Sequence, residues 1–253
     1  MKQLQKLAEQ YNFNDFTESH YRKLIILAKQ NYKFESYGTK IKSPHVLWRH
    51  DVDNSVHRAL RLAQIEAELK VHATYFFMLH SEFYNILEKS IFEKIKQISM
   101  LGHGIGLHFD SGFYSPIRTL KELEDKLLFE KNILESAFSR HVTVFSFHIP
   151  EVGNILKFDN DRIGGMINTY GKKIRSNYGY CSDSTGYWRH RRLEDVLKAA
   201  SETKLQVLTH PEWWQRKTMS PRERIERCII GRAENTRNSY SKLLKKIRRK
   251  NIG

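Results

Sequence analysis

Six ionisable residues fall at the ends of short apolar runs. Asp51 and Asp53 follow Val46-Leu47-Trp48, His108 follows Ile105-Gly106-Leu107, and His148 follows Val142 to Ser146. Asp183 comes just after Tyr178-Gly179-Tyr180-Cys181, and His210 just after Leu205 to Thr209. Imidazoles with carboxylates make a common ligand set for zinc and similar divalent ions. The same groups serve as general acids and bases near neutral pH. A lone histidine after a strand is ordinarily structural, but six such residues on one edge point to a site. Asp51 and Asp53, one residue apart, are expected to point different ways at the strand end and so to divide labour, one on a metal and one on a proton. Their alternative use is to cap the helix that follows. Asn54 and Ser55 already supply that chemistry, which leaves both aspartates free.

The elements that must position these residues alternate. Strands are predicted at Val46 to Trp48 (running to His50-Asp51), Thr74 to Leu79, Ile105 to His108, Val142 to Ser146, Tyr178 to Cys181 and Leu205 to Thr209. Helices are predicted over Ser55 to Leu69, about Ile91 to Leu101 with Gly102 as the stop, about Leu120 to Phe138, and Leu193 to Ala200. A looser stretch rich in glycine and asparagine fills the gap before Tyr178. Repeated strand–helix alternation implies a parallel α/β sheet, open or closed into a barrel. In such folds ligands bind at the carboxyl ends of the strands, where the six residues stand. Asp15 to Tyr32 reads as an amphipathic helix packed on this body. The chain thus divides into an N-terminal helical extension (1–44), an α/β barrel (45–220) and a basic helical tail (221–253), all within one structural domain.

Composition narrows the class. At 253 residues, 40% hydrophobic and 28% charged, the chain is long enough for one large core. Two cysteines, Cys181 and Cys228, are too few for a disulfide framework and suit a reducing compartment. No apolar segment reads as a secretory signal or a membrane span, so a cytoplasmic protein is expected, at most peripheral to the inner face of the membrane. The net charge is +15, and from Arg222 onward there are 11 basic and 3 acidic residues. Such a tail can contact an anionic membrane or a phosphorylated substrate, or be a solvated helix face. Ile225, Ile229 and Ile230 give its first half an apolar strip, while Lys242 to Lys250 is expected to fray. With no recognised nucleic-acid motif, nucleic acid is the least favoured partner.

Three segments together resemble the NodB-homology polysaccharide deacetylases, the carbohydrate esterase family 4 type, from about Val46 to Trp214. Arg49-His50-Asp51-Val52-Asp53 is similar to that family's first motif of paired aspartates, with Val52 inserted between acids that are usually adjacent. Gly102-His103-Gly104-Ile105-Gly106-Leu107-His108 is similar to the second motif, although Gly112 stands where its second histidine is usual. Leu208-Thr209-His210-Pro211-Glu212 resembles the last motif. The resemblance implies an irregular (β/α) barrel and a metal, Zn2+ first, with Co2+ or Ni2+ as alternatives. It implies Asp51 as general base, His210 as general acid, and Asp53 and His108 as metal ligands. His148 is the expected third ligand, with Asp110 as second choice. Asp183 and Arg189 take the approximate place of residues that orient the catalytic pair.

The implied reaction is metal-dependent removal of an N-acetyl group from a sugar or oligosaccharide, phosphate- or lipid-linked or not. The expected setting is cytoplasmic synthesis of a surface polysaccharide or lipopolysaccharide precursor. A deformylase or other C–N hydrolase on a lipid- or nucleotide-linked sugar is the alternative enzyme. A catalytically inactive glycan-binding or scaffold barrel is the alternative outside enzymes. Tyr187, Trp188, Trp213 and Trp214 lie beside these positions and are expected either to stack on sugar rings or to pack the barrel rim.

Overall fold

Strand β2 (His45–Val52) is buried at all eight positions. A strand covered on both faces must carry its neighbours in a parallel sheet. In the computed structural model, which describes residues 2–188 and 190–252, β2 pairs in parallel with β1 (Lys33–Phe34), β3 (Thr74–Phe77) and β9 (Lys204–Thr209). Beyond β3 come β4 (Gly104–Asp110), β5 (Val144–His148), β7 (Met166–Asn168) and β6 (Arg162–Ile163), and beyond β9 comes β8 (Gly179–Ser182). Among the described residues only the β6–β7 pairing is antiparallel. The crossover helices follow the expected signals. Ser55 caps α3 (Val56–Glu68) through the Arg58 amide, and Thr119 and Glu122 form a capping box on α5 (Leu120–Phe138). Helix α4 (Lys89–Met100) ends before Gly102, whose φ of 93° needs glycine.

The sheet curls. Tyr170, just past β7, accepts a hydrogen bond from Arg49 Nη2 on β2 at 3.0 Å. In a flat sheet β7 would lie four strand spacings from β2, about 19 Å away. The two faces are therefore an inner concave one and an outer convex one, and the chain is an irregular (β/α) barrel whose edge strands, β6 and β8, do not pair. Gly106 is required inside: a Cβ there would meet the Phe76 ring at 2.5 Å.

On the convex face the helices close over a buried polar network. His50 Nε2 lies 2.7 Å from Glu66 Oε1 on α3, and Tyr75 donates to Glu66 Oε2 at 2.7 Å. Tyr21, from helix α2 (Glu18–Asn31), donates to Glu66 Oε1 at 2.5 Å and accepts from Trp48 Nε1 at 2.9 Å. Burial would raise the Glu66 pKa, but the adjacent His50 and these donors hold it below the usual carboxylate value.

Several boundaries differ from expectation. The N-terminal helix starts at Glu18, where Thr17 caps it, and is preceded by helix α1 (Lys2–Gln10) and a 3-10 turn at Phe13–Phe16. Strand β5 runs on to include His148. The loose stretch holds β6, β7 and helix α6 (Lys172–Asn177), too short to show periodicity. Helix α7 (Leu193–Ala199) leads into β9. The tail is one helix, α8 (Pro221–Lys246), started by a Ser220–Glu223 capping box, and it is helical through Lys242 to Lys246.

Replacing Glu66 by alanine strands His50, Tyr21 and Tyr75 without their shared acceptor. We expect a loss of about 3–5 kcal/mol in urea unfolding; a change below about 1 kcal/mol, the range of ordinary surface substitutions, overturns this role.

Candidate active site

Residues i and i+2 of a strand share a face. Arg49 and Asp51 accordingly both project into the concave interior, with Asp53 just beyond the strand end. This corrects the expectation that the two aspartates point different ways: both reach the same imidazole. Asp53 Oδ1 lies 3.0 Å from His108 Nε2, and Asp51 Oδ2 lies 3.8 Å from His108 Nδ1. Ser55 caps α3, so neither aspartate is spent as a cap. Asp51 is buried, with Arg49 Nη2 donating to its Oδ2 at 3.1 Å and Ser146 Oγ donating to its Oδ1 at 3.3 Å.

The proton count around Ser146 decides the state of His108. Because the serine hydroxyl gives its hydrogen to Asp51, its contact at 2.7 Å with His108 Nδ1 must be accepted from an Nδ1–H. Nε2 is then the nitrogen left to face Asp53, and a ring that is neutral in this tautomer carries on Nε2 the lone pair that binds a metal. The His108 and His148 rings stand 5.3 Å apart and nearly perpendicular. Asp53 Oδ1 and His148 Nδ1 are both buried and, among the described residues, have no hydrogen-bond partner. A carboxylate and two imidazoles are a donor set for a divalent cation such as zinc, and as they stand their ligand atoms do not all lie within 4.8 Å of one another. Asp110 Oδ1 is 3.7 Å from His148 Nδ1 but already accepts from the Gly112 amide at 2.9 Å. Burial would raise the Asp53 pKa, yet contact with His108, with His210 and His148 close by, holds it at about 2.

Opposite this group stands His210, delivered by β9. Its Nδ1 is 2.7 Å from Asp183 Oδ1, and its Nε2 is 3.9 Å from Asp53 Oδ2. Asp183 is fully buried and also accepts from the His210 amide at 3.0 Å and from Trp214 Nε1 at 2.9 Å. Burial alone would lower the His210 pKa, but the bond and charge of Asp183 carry it up to about 10. Glu212, fully buried with neither carboxylate oxygen hydrogen-bonded among the described residues, is pushed well above the usual value by burial and by Asp53.

No protein-family model matches the chain, and no curated protein matches it. It does match solved structures, carbohydrate esterase family 4 proteins among them. The catalytic domain of a peptidoglycan N-acetylglucosamine deacetylase from Eubacterium rectale is 14% identical, covering 79% of this chain and 89% of that one at a TM-score of 0.47. A family 4 acetyl xylan esterase from Clostridium thermocellum, in complex with a cobalt ion, is 13% identical over 76% of this chain and 84% of that one, at a TM-score of 0.40. A family 4 pseudoenzyme from Bacillus anthracis is 17% identical over 77% of this chain, at a TM-score of 0.42. This chain spans only 62% of that pseudoenzyme's length.

Asp51, Asp53, His108, His148, Asp183 and His210 thus come together at one end of the barrel. Arg189 lies outside the described residues. The aromatic set is corrected. Trp214 is fully buried, packed on Phe16 and Tyr21, and bonded to Asp183, so it cannot face a sugar. Trp188 stacks on Phe16 at 5.2 Å and donates to Asp15, and Tyr187 packs edge-on against Tyr11 at 5.0 Å. Trp213 packs against Gly186, where an added Cβ would meet its ring at 2.9 Å.

Sequence reasoning missed Arg49, Ser146 and Glu212, although period-2 alternation through Asp51 marks Arg49 as inward-facing. It also missed Asp15, His20 and Glu194, whose ligand atoms lie within 4.8 Å of one another. That cluster already holds a cation: Arg192 Nη2 bonds Asp15 Oδ1 at 2.7 Å and approaches Glu194 Oε2 at 3.1 Å.

The His210 pKa is raised above its unfolded value of about 6.5. Its pairing with Asp183 therefore stabilises the fold fully below that pH, and the gain is lost as pH rises through about 10. In chelator-treated protein the His210 ring resonances should not titrate between about pH 6 and 8, and Asp183→Asn should bring the titration back into that range. A wild-type His210 titrating near its ordinary value refutes the pairing.

Proposed function

We propose that this chain is a metal-dependent deacetylase of N-acylated sugars, a divergent relative of the NodB-homology enzymes. The observation that carries this reading is the convergence of Asp51, Asp53, His108 and His210, with a raised imidazole pKa facing a carboxylate held near 2. Asp53, His108 and His148 would hold the cation, Zn2+ in the first instance, which supplies Lewis-acid polarisation of the scissile carbonyl and a more acidic water. Asp51 takes the proton of the attacking water, its carboxylate aimed by Arg49 and Ser146. His210 keeps a proton on Nε2 at neutral pH, because Nδ1 donates to Asp183, and delivers it to the departing amine. Oppositely shifted environments let one pocket hold a base and an acid together.

For the setting we propose cytoplasmic synthesis of a surface polysaccharide or lipopolysaccharide precursor. The free thiols Cys181 and Cys228 suit a reducing compartment. Removal of a formyl group from a lipid- or nucleotide-linked sugar would use the same acid and base. A second reading, an inactive glycan-binding barrel, is favoured by Gly112, which replaces the usual second histidine.

Asp51→Asn should cut turnover of an N-acetylated oligosaccharide by about 10^2–10^4-fold while leaving bound metal unchanged by elemental analysis. Unchanged turnover removes Asp51 as base, and a wild-type chain that purifies without metal and stays inert with added Zn2+ supports the inactive barrel. Ser146→Ala frees the His108 tautomer and should weaken metal affinity by about 10–100-fold in a competition titration; wild-type affinity would dismiss the relay through Ser146.

A further inference from the structure

Helix α8 runs 26 residues, and its two sides have different fates. One side is committed to the barrel. Arg224 is fully buried and bonds the Gly186 carbonyl at 2.9 Å, and Arg232 pairs with Glu88. Arg227 and Cys228 join Asn54 and Ser55 in walling a cavity of about 650 Å³. The other side carries Ile229, Ala233, Thr236, Tyr240, Leu243 and Ile247, spaced alternately by four and three residues. That spacing keeps all six on one stripe of the helix. Ile229, Tyr240, Leu243 and Ile247 are each 48–56% exposed. Past Glu234 the charge beside the stripe has one sign: residues 235–252 hold seven lysines and arginines and no carboxylate. Arg237 and Lys246 fall on its opposite flanks.

We infer that α8 is a membrane-surface helix, laying this stripe into an anionic lipid bilayer while its lysines and arginines meet the headgroups. An apolar strip flanked by cations matches the layered chemistry of such a surface. A second copy of the helix would bring cations against cations, with no acidic residue in this region to answer them. A nucleic acid would satisfy the charge but leave four large apolar side chains in water. No described helix is long and apolar enough to cross a membrane, and α8 with its charged opposite side lies along the interface. Docking of α8 does not depend on the reaction at Asp51.

The test is co-sedimentation of the full chain with phosphatidylcholine vesicles containing about 30% phosphatidylglycerol, against pure phosphatidylcholine. We expect binding to the anionic vesicles, at least about tenfold weaker binding to the neutral ones, and release as salt rises. Leu243→Asp with Ile247→Asp, and separately Arg237→Glu with Lys246→Glu, should each weaken binding about tenfold or more, with unchanged circular dichroism. Deacetylation of a soluble oligosaccharide by both variants at the wild-type rate separates this result from the fate of the reaction assignment. Indifference of the wild type to anionic vesicles, or full binding by the Leu243/Ile247 variant, overturns the inference. So does dimerisation through α8 without lipid, or tighter binding to a DNA duplex than to vesicles.

Discussion

A strand buried along its whole length ordinarily carries apolar side chains, and β2 instead carries His45, Arg49, His50 and Asp51 among its eight buried residues. Each of these groups loses its water on folding and must recover partners within the protein. His50 turns outward to Glu66, and Arg49 and Asp51 turn inward to each other, with Nη2 of Arg49 also bonding Tyr170 while its Nε and Nη1 have no partner among the described residues. The catalytic side of the strand and its structural side are therefore two faces of one desolvated polar layer. Thr209 ties them together, since its hydroxyl meets His50 Nδ1 at 2.7 Å and the next residue is His210. Breaking a buried pair by removing one member leaves the other uncompensated, which is costly even where the intact pair adds little. That asymmetry accounts for how a site dense in charge can sit in the middle of a stable barrel.

The same desolvation separates the site's carboxylates into different states. Asp53 faces imidazoles and stays ionised, while Glu212, two residues beyond His210, has no donor among the described residues and is pushed up. Asp183 receives three hydrogen bonds, from the His210 ring and amide and from Trp214. Trp214 in turn packs against Phe16 and Tyr21 of the N-terminal segment. The N-terminal extension thus fixes the partner of His210 and does more than cover apolar surface. Arg58 strengthens the link by donating to the Trp214 carbonyl and to Glu18 at 2.8 Å.

The α/β alternation was legible because helices such as α3 and α5 are long enough to show their period and carry the capping residues Ser55 and Thr119. Leu120 to Phe138 was bounded correctly from sequence for that reason. The stretch from residue 150 to 178 was not legible, since β6, β7 and α6 have two, three and six residues and are held by tertiary contacts such as Asn168 to the Phe158 carbonyl. At the site, residues at strand ends could be named, because strand ends converge whatever the details of the sheet. Partnerships across the sheet could not, since that Arg49 serves Asp51 depends on register and curl. The two readings of the tryptophans stayed open on the same ground: closeness in sequence to His210 says nothing about which side of the rim a ring packs.

Parity along β2 also explains why the metal-binding geometry must differ from that of adjacent paired acids. With Val52 between them, Asp51 and Asp53 share the inner face, and Val52 is buried on the other side with its carbonyl bonded to Tyr84 at 2.7 Å. Both acids then address His108 from one side, one near each ring nitrogen. A further donor has to come from the next level of the sheet, where the β4–β5 register sets Asp110 opposite His148. Gly112 cannot readily supply it: its amide is held by Asp110 Oδ1, and a Cβ there would stand 3.1 Å from that oxygen. His148 on β5 is therefore the imidazole that the geometry of the β4 end leaves beside His108. A side chain at position 112 would have to displace the very carboxylate that orders the loop.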